Sequence, residues 1–241
     1  MTLTIAPAKL ARLLAWIIAG FLLAHLVAMG FKHGLEAPNV KGLVPLFDLN
    51  GEGNAPAWYA ATTLFIAGLL LGVIAAAEWQ RRAPYRFHWT GLALIFGFFS
   101  VDEAARIHEL TIKPLNDTLG TRGFLTFSWV IPYAALLLIG GFLYRRFIRD
   151  LEPGARRSMI LAGLVYVGGA MGVEMLSGGV AERWGGESVM FAAATTVEET
   201  LEMAGIAIFI HALVRYLGRD VGEVRFRIEA VPGPDRTAAE P

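Results

Sequence analysis

Acidic residues stand inside stretches of this chain that are apolar enough to cross a membrane. The last such stretch, TTVEETLEMAGIAIFIHALV, contains Glu198, Glu199 and Glu202. Residues three and four positions apart share one face of an α-helix, so these three carboxylates should point the same way. Acids at membrane depth are costly, and they persist mainly where they face a bundle interior and carry function. The spacing therefore predicts a carboxylate site inside a helical bundle.

Further candidate ligands lie in the segments SVDEAARIHE and GGAMGVEMLSGG. They are Asp102, Glu103, His108, Glu109 and Glu174. Carboxylate oxygens suit Ca²⁺, Mg²⁺ or Mn²⁺, and an added imidazole from His108 or His25 admits Zn²⁺ or Fe²⁺. A bound metal would activate water, with a glutamate as general base. Glu199, Asp102 and His108 are the predicted catalytic residues.

Two other interpretations of these acids stay open at this level. Arg106 could pair with Asp102 and Glu109, which fall on one helical stripe, in a purely structural ion-pair network. One arginine cannot neutralise all the acids, however, so the surplus must be protonated, solvated or bound to a cation. Crowded carboxylates that share protons would instead form a proton or cation pathway.

The segment LFDLNGEGNAPAWY begins like a calcium-binding loop. Its candidate ligands are Asp48, Asn50, Glu52 and Asn54. Alternating oxygen-bearing side chains followed by Gly53 match the first half of such a loop. The twelfth position is Tyr59 instead of a bidentate glutamate, so a carboxylate from elsewhere would have to complete the site. The alternative is an ordinary polar turn.

The composition indicates an all-α, polytopic membrane protein with six transmembrane helices. Hydrophobic residues make up 55% of the 241 positions and charged residues only 17%, which is too apolar for an ordinary soluble domain. The predicted spans are Leu10–Phe31, Trp58–Ala77, His88–Ile112, Phe124–Phe147, Arg157–Gly179 and Val189–Tyr216. The net charge of zero offers no basic surface for nucleic acid.

The distribution of basic residues predicts the orientation. Six of the 21 Lys and Arg residues fall on one side of the predicted spans, namely Lys32, Lys41, Arg106, Lys113, Arg122 and Arg183, and the other fifteen on the opposite side. The positive-inside rule then places both termini in the cytoplasm and the loop 32–57 outside. Residues 1–217 form the transmembrane domain, and 218–241 form a largely disordered cytoplasmic tail with one short strand. Alanine, glycine and arginine usage favours a bacterial gene, hence a multi-pass protein of the inner membrane.

The order of these motifs resembles that of an uncharacterised family of bacterial multispanning proteins, over nearly the whole chain. A partial similarity links Ser100, Asp102, His108 and the acidic loop to membrane alkaline ceramidases, which implies calcium and zinc sites and a lipid-like substrate. The chain departs from that family in having no His-x-x-x-His pair and six predicted spans instead of seven.

The leading interpretation is an outward-facing carboxylate and histidine site that binds a divalent metal, either Ca²⁺ or one of Zn²⁺, Mn²⁺ and Fe²⁺. If the protein is an enzyme, we expect metal-dependent hydrolysis of a lipid-like substrate. The alternatives are a proton- or cation-coupled transporter and a noncatalytic subunit of a larger membrane complex. The expected partners are the lipid bilayer and further copies or subunits.

Overall fold

The computed structural model describes residues 6–222, and every regular element within them is helical. The α-helices are α1 (Pro7–Met29), α2 (Leu43–Phe47), α3 (Ala55–Gln80), α4 (Arg86–Ala105), α5 (Ile112–Leu119), α6 (Val130–Asp150), α7 (Pro153–Val167), α8 (Glu174–Trp184) and α9 (Val189–Tyr216). Short π-helices follow α1 (Gly30–Gly34), α7 (Gly168–Val173) and α9 (Leu217–Val221), and 3₁₀ turns cover Val40–Gly42, His108–Thr111 and Gly123–Leu125. The all-α prediction is confirmed for this part of the chain.

Five continuous helical segments are long and apolar enough to cross a membrane, as expected of a multi-pass membrane protein. They are Pro7–Gly34, Ala55–Gln80, Val130–Asp150, Pro153–Trp184 and Val189–Val221. The five do not include α4, whose apolar stretch is interrupted by Asp102 and Glu103. Six spans therefore remain a prediction. The limits predicted for the last span are those of α9.

Local signals in the sequence fix where the long helices begin. The side chain of Asn54 accepts a hydrogen bond from Ala57 N–H at the start of α3, and Ser188 accepts one from Phe191 N–H at the start of α9. Glu152 does the same for Gly154 and Ala155 at the start of α7, just before Pro153. Such caps satisfy N–H groups that have no partner within their own helix.

The long helices run antiparallel, which gives the bundle two ends. We call the end that carries Arg81, Arg149 and Arg215 the basic end, and the end that carries the loop 35–54 the loop end. Close helix approach depends on glycine. A Cβ on Gly205 of α9 would lie 2.7 Å from the backbone nitrogen of Tyr166 in α7, and one on Gly68 of α3 would lie 3.3 Å from that of Gly97 in α4.

The tightest apolar core lies toward the basic end. Leu71 and Ile74 of α3, Trp89 of α4, and Ile210 and Leu213 of α9 are all at most 1% exposed. On α6, by contrast, Leu138 is 75% exposed, as expected of a lipid-facing side chain. The half near the basic end therefore contains a close-packed apolar core.

The third predicted span is wrong at its C-terminal limit. The sequence predicts a helix through Ile112, but α4 ends at Ala105 because Arg106 adopts a left-handed conformation with φ of 54°. A 3₁₀ turn and α5 then continue in a new direction. At the other end of the chain, helical structure continues through Val221 and so includes the first residues of the predicted tail 218–241. The predicted strand and the rest of that tail lie beyond the described residues.

Candidate functional site

The break after α4 folds His108 back onto Asp102. The backbone N–H of His108 donates to Asp102 Oδ1 at 2.7 Å, and its ring Nδ1–H donates to the same oxygen at 3.2 Å. The hydroxyl of Tyr133 on α6 donates to Asp102 Oδ2 at 2.8 Å. Asp102 is only 5% exposed, so both of its oxygens are satisfied inside the protein.

This arrangement prepares His108 for chemistry at its other nitrogen. Burial lowers the pKa of His108, but the hydrogen bond and charge of Asp102 outweigh it and leave the pKa above its usual value. A carboxylate that holds Nδ1–H fixes the tautomer and leaves Nε2 to accept a proton or bind a metal. A regular helix would have pointed His108 elsewhere, so the left-handed Arg106 creates the pair.

A second set of polar contacts ties α6 and α8 to the same region. The indole Nε1–H of Trp129 donates to Glu174 Oε1 at 2.9 Å, and the Trp129 ring lies 5.0 Å from that of His108. On α9, Glu198 Oε2 accepts the hydroxyl of Ser177, 2.9 Å away, and Ser177 is fully buried. Glu174 and Glu198 thus each have one donor.

The remaining three acids of the region have no such partner. Glu103 of α4 and Glu199 and Glu202 of α9 accept no hydrogen bond and form no ion pair with any described residue. Their charges lie close enough to act on one another. All three are partly accessible to solvent instead of fully enclosed. They form the uncompensated part of the site, which we call the carboxylate cluster.

Close backbone contact holds the wall behind the carboxylate cluster. A Cβ on Gly169 would lie 2.8 Å from the carbonyl oxygen of Glu198 and 3.2 Å from Cγ of Glu202. Gly169 belongs to the π-helix Gly168–Val173, and such local widening of a helix often marks functional sites. The fixed approach of this π-helix to α9 sets the position of the glutamates.

The loop 35–54 covers the site from the loop end. Leu49 N–H donates to Nδ1 of the fully buried His25 at 3.0 Å, so the neutral ring donates from Nε2 to Thr196 Oγ1 at 2.8 Å. His25 therefore anchors the loop to α1 and α9. Glu52 reaches the edge of the carboxylate cluster, and partial desolvation and the charge of Glu109 raise its pKa.

The candidate calcium ligands of this loop are engaged in a polar turn. Asp48 accepts the backbone N–H of Asn50 at 3.1 Å, and its carboxylate lies 3.5 Å from Lys32 Nζ. Asn54 uses its oxygen to cap α3 and its nitrogen to bind the Asp48 carbonyl at 2.6 Å. These contacts favour the polar-turn alternative for Asp48 and Asn54.

Arg106 does not neutralise the site. Its guanidinium lies 3.6 Å from Glu109 in a pair with both side chains at least 40% exposed, and it forms no ion pair with Asp102. Exposed pairs of this kind contribute little to stability. The alternative in which Arg106 compensates the buried acids thus lacks the contacts it requires.

The twelve residues proposed as metal ligands fall into separate groups. Within residues 6–222, no three His, Asp or Glu side chains are already arranged around a common metal position. Sequence reasoning missed Tyr133, Trp129 and Ser177, which supply the donors to Asp102, Glu174 and Glu198. Trp129 and Tyr133 are four residues apart, so the indole N–H and the phenol hydroxyl lie on one face of α6. This spacing is the only feature of the sequence that could have indicated the two donors.

A family model described as "Domain of unknown function (DUF8692)" matches residues 13–217. The chain matches no curated protein and no solved structure. The matched range runs from α1 to the end of α9 and so includes every residue of the site. The chain therefore belongs to this family of unknown function, in agreement with the uncharacterised family that the motifs indicate.

Proposed function

We propose that the protein crosses the bacterial inner membrane six times, with both termini in the cytoplasm. The five apolar segments are joined by α4 as the additional span. This helix is 20 residues long and packs antiparallel to α3. The excess of arginine at the basic end supports a cytoplasmic location for that end. The loop end and the carboxylate cluster then face outward.

We propose that the carboxylate cluster binds a divalent cation. The observation that carries this proposal is that Glu103, Glu199 and Glu202 lie near one another but accept no hydrogen bond and form no ion pair within residues 6–222, with His108 as a basic neighbour of Glu103 alone. Uncompensated carboxylates at membrane depth are costly, and a bound cation removes that cost.

The chemistry of the donors fits a hard cation such as Ca²⁺ or Mn²⁺, and the Nε2 atom of His108 would admit Zn²⁺. Binding would require Glu103 to move toward Glu199 and Glu202, since the three do not already share a ligand position. Rotation of long glutamate side chains, which are partly accessible here, is the simplest way to do this.

The packing of the inner half argues for a site that is open on one side only. Below Glu202 the same face of α9 continues with Ile206, Ile210 and Leu213, which are at most 4% exposed. Of the buried polar residues in the described part of the chain, only Glu78 lies in this half, at its far end. Binding from outside is therefore better supported than coupled transport across the membrane.

The test is the thermal unfolding of the purified full chain with and without Ca²⁺, Mn²⁺ or Zn²⁺. A cation at 100 times its Kd should raise the unfolding midpoint by about 5–10 °C. The double substitution Glu199→Gln and Glu202→Gln should abolish this rise. Glu187→Gln, an 87% exposed acid at the same end, is the matched control and should retain it.

Two results would overturn the cation proposal. One is a wild-type midpoint that no cation changes, together with no metal in elemental analysis. The other is a rise that survives the double glutamine substitution. If the double variant is only as stable as the wild type without any cation, the carboxylates hold protons instead of metal, because glutamine then replaces a side chain that is already neutral.

The pairing of Asp102 with His108 favours a second candidate function, hydrolysis of a lipid-like substrate. A bound metal would supply an activated water there. His108 Nε2 could accept the proton of that water, while Asp102 orients the ring and stabilises its charged form. The exposed apolar surface of α6 and α4 beside the site suits a substrate that arrives from the bilayer. Ester or amide hydrolysis in mixed micelles that His108→Gln removes would support this candidate, and no activity against any lipid class would count against it.

A further inference from the structure

A cavity of about 350 Å³ opens at the basic end, on the opposite side of the bundle from the carboxylate cluster. It lies where the C-terminal ends of α3, α6 and α9 meet the N-terminal turn of α4. Its volume is within the range of small-molecule sites in proteins. None of the residues that form the outward-facing site lines it.

Aromatic rings form one wall of this cavity. The ring of Tyr85 lies 5.5 Å from that of Phe147, which lies 4.9 Å from Trp89, which lies 4.8 Å from Tyr216. Trp89 and Phe147 are at most 2% exposed, so the core holds this wall rigidly. The rings that remain partly exposed at the cavity are those of Tyr85 and Tyr216, and the faces of tyrosine rings attract cations.

Leu151 and four carboxylates form the rest of the lining, which contains no lysine or arginine from residues 6–222. The carboxylates are Glu78, Asp150, Glu152 and Asp220. Glu78 is 9% exposed, and its carboxylate accepts no hydrogen bond from any described residue. Arg81 is 3.8 Å from it but donates its N–H groups to the carbonyl oxygens of Asp220 and Val221. Glu78 is thus a buried acid with one long ion-pair contact, to Arg81, and no hydrogen bond among the described residues.

Two of the nearby arginines are directed away from the cavity, and a third pairs with one of its carboxylates. Arg86 lies over the rings of Trp79 and Phe87 at 4.8 and 5.1 Å, and Arg145 lies over Phe142 at 3.7 Å. Arg219 pairs with Glu152, which already caps α7. Asp150 and Asp220, by contrast, form no ion pair within residues 6–222, so the cavity keeps negative charge at the end of the protein that is richest in arginine.

We propose that this cavity binds the ammonium group of a small organic cation. An aromatic wall with carboxylates opposite is the arrangement that recognises quaternary and primary ammonium groups, because it combines cation–π attraction with opposite charge. A bare metal ion would make no use of the rings.

The ammonium group has two chemical sources, a free amine in the cytoplasm or the head group of a zwitterionic phospholipid. Arg215 and Arg219 line a shallow cleft that shares Tyr216, Glu152 and Asp220 with the cavity. A head group could place its phosphate on these arginines and its ammonium among the rings. The experiment must therefore present both sources.

The purified full chain in detergent is titrated with choline and with ethanolamine, with 3,3-dimethylbutanol as the neutral analogue of choline. Nanodiscs that contain phosphatidylethanolamine or only phosphatidylglycerol present the lipid source. We expect saturable binding, measured by calorimetry or by a rise in the unfolding midpoint, for the ammonium compounds in at least one of the two forms. Binding of the soluble amines identifies a free ligand, and an effect of phosphatidylethanolamine alone identifies the head group.

The substitutions Asp150→Asn and Asp220→Asn together should weaken binding at least tenfold. Both side chains are exposed, so the fold should be retained, which the unfolding midpoint without ligand checks. Asp117→Asn, at the loop end, is the matched control and should bind as the wild type does. The proposal is overturned if neither form binds, if the neutral analogue binds equally well, or if the double variant binds unchanged.

Discussion

The two halves of α9 use the same helical face for opposite purposes. Toward the loop end the face carries Glu199 and Glu202, which are partly accessible and lack donors. Toward the basic end it carries Ile206, Ile210 and Leu213, which are buried against α3 and α7. One half holds charges that reduce stability, and the other supplies the packing that tolerates them.

Gly205 marks the boundary between these halves. Because Gly205 has no side chain, the backbone of Tyr166 can pack directly against it. A Cβ at this position would lie only 2.7 Å from the backbone nitrogen of Tyr166. Above this contact the π-helix around Gly169 widens α7 beside the glutamates. The comparison shows how a well-packed half can hold an uncompensated half in place, and each prediction below tests one side of it.

The largest effect should come from the packed half. Leu213→Ala removes a side chain that is fully buried and should lower the free energy of unfolding by about 2–5 kcal/mol. Leu138→Ala, at a 75% exposed position on α6, is the control and should change it far less. Reversible unfolding in mixed micelles measures both. Equal losses would contradict the burial of Leu213 in the core near the basic end.

The next effect concerns Asp102 in the half near the loop end. Asp102→Asn weakens the hydrogen bonds from His108 and Tyr133 and should cost about 1.5–3 kcal/mol, the usual range for bonds to a charged group. Asp117→Asn, an exposed acid of the same end, should cost little. If the two variants are equally stable, the Asp102 network does not hold the end of α4.

The pH dependence of stability should follow from the same pair. Because the folded pKa of His108 lies above its unfolded value, the stabilisation is fully present below the unfolded pKa near 6.5 and is lost as pH rises through the folded pKa. The pKa of Glu52 is also raised, so this residue contributes a further loss of stability as the pH rises, in a lower pH range than His108. Asp102→Asn should flatten the part due to His108, and a variant curve parallel to that of the wild type would exclude this origin.

The smallest effect should come from Ser177. Ser177→Ala removes the donor to Glu198 Oε2 and should cost about 1 kcal/mol. Ser188→Gly, which removes the side-chain cap of α9 but leaves a tolerated residue, should cost only a few tenths. A Ser177 variant as stable as the wild type would show that Glu198 finds its donor elsewhere.

Much of the fold is predictable because it depends on local composition. Val189–Tyr216 is apolar, begins at a serine cap and is observed as α9. The shared face of Glu198, Glu199 and Glu202 likewise follows from helical spacing alone. The left-handed conformation of Arg106 does not, because no glycine or proline marks the break after α4.

The hydrogen-bond partners of the site residues could not be predicted from the sequence either. Tyr133 is 31 positions from Asp102, and Thr196 is 171 positions from His25, so only the packing of whole helices brings them together. The same holds for the loop, whose Asp48 and Asn54 match a calcium motif yet form a turn anchored by His25. A short motif specifies residue types, but it does not show whether their polar atoms already form hydrogen bonds within the protein.

The most direct test of the contrast between the two halves is accessibility, and the absence of cysteine from the chain makes it simple. Glu199→Cys and Ile210→Cys are introduced singly and exposed to a membrane-impermeant thiol reagent in right-side-out and inverted vesicles. We predict that the Glu199→Cys variant reacts only in right-side-out vesicles and that the Ile210→Cys variant reacts in neither. Reaction of the Ile210→Cys variant in either preparation, or of the Glu199→Cys variant in inverted vesicles, would contradict an outward-facing site that is closed from within.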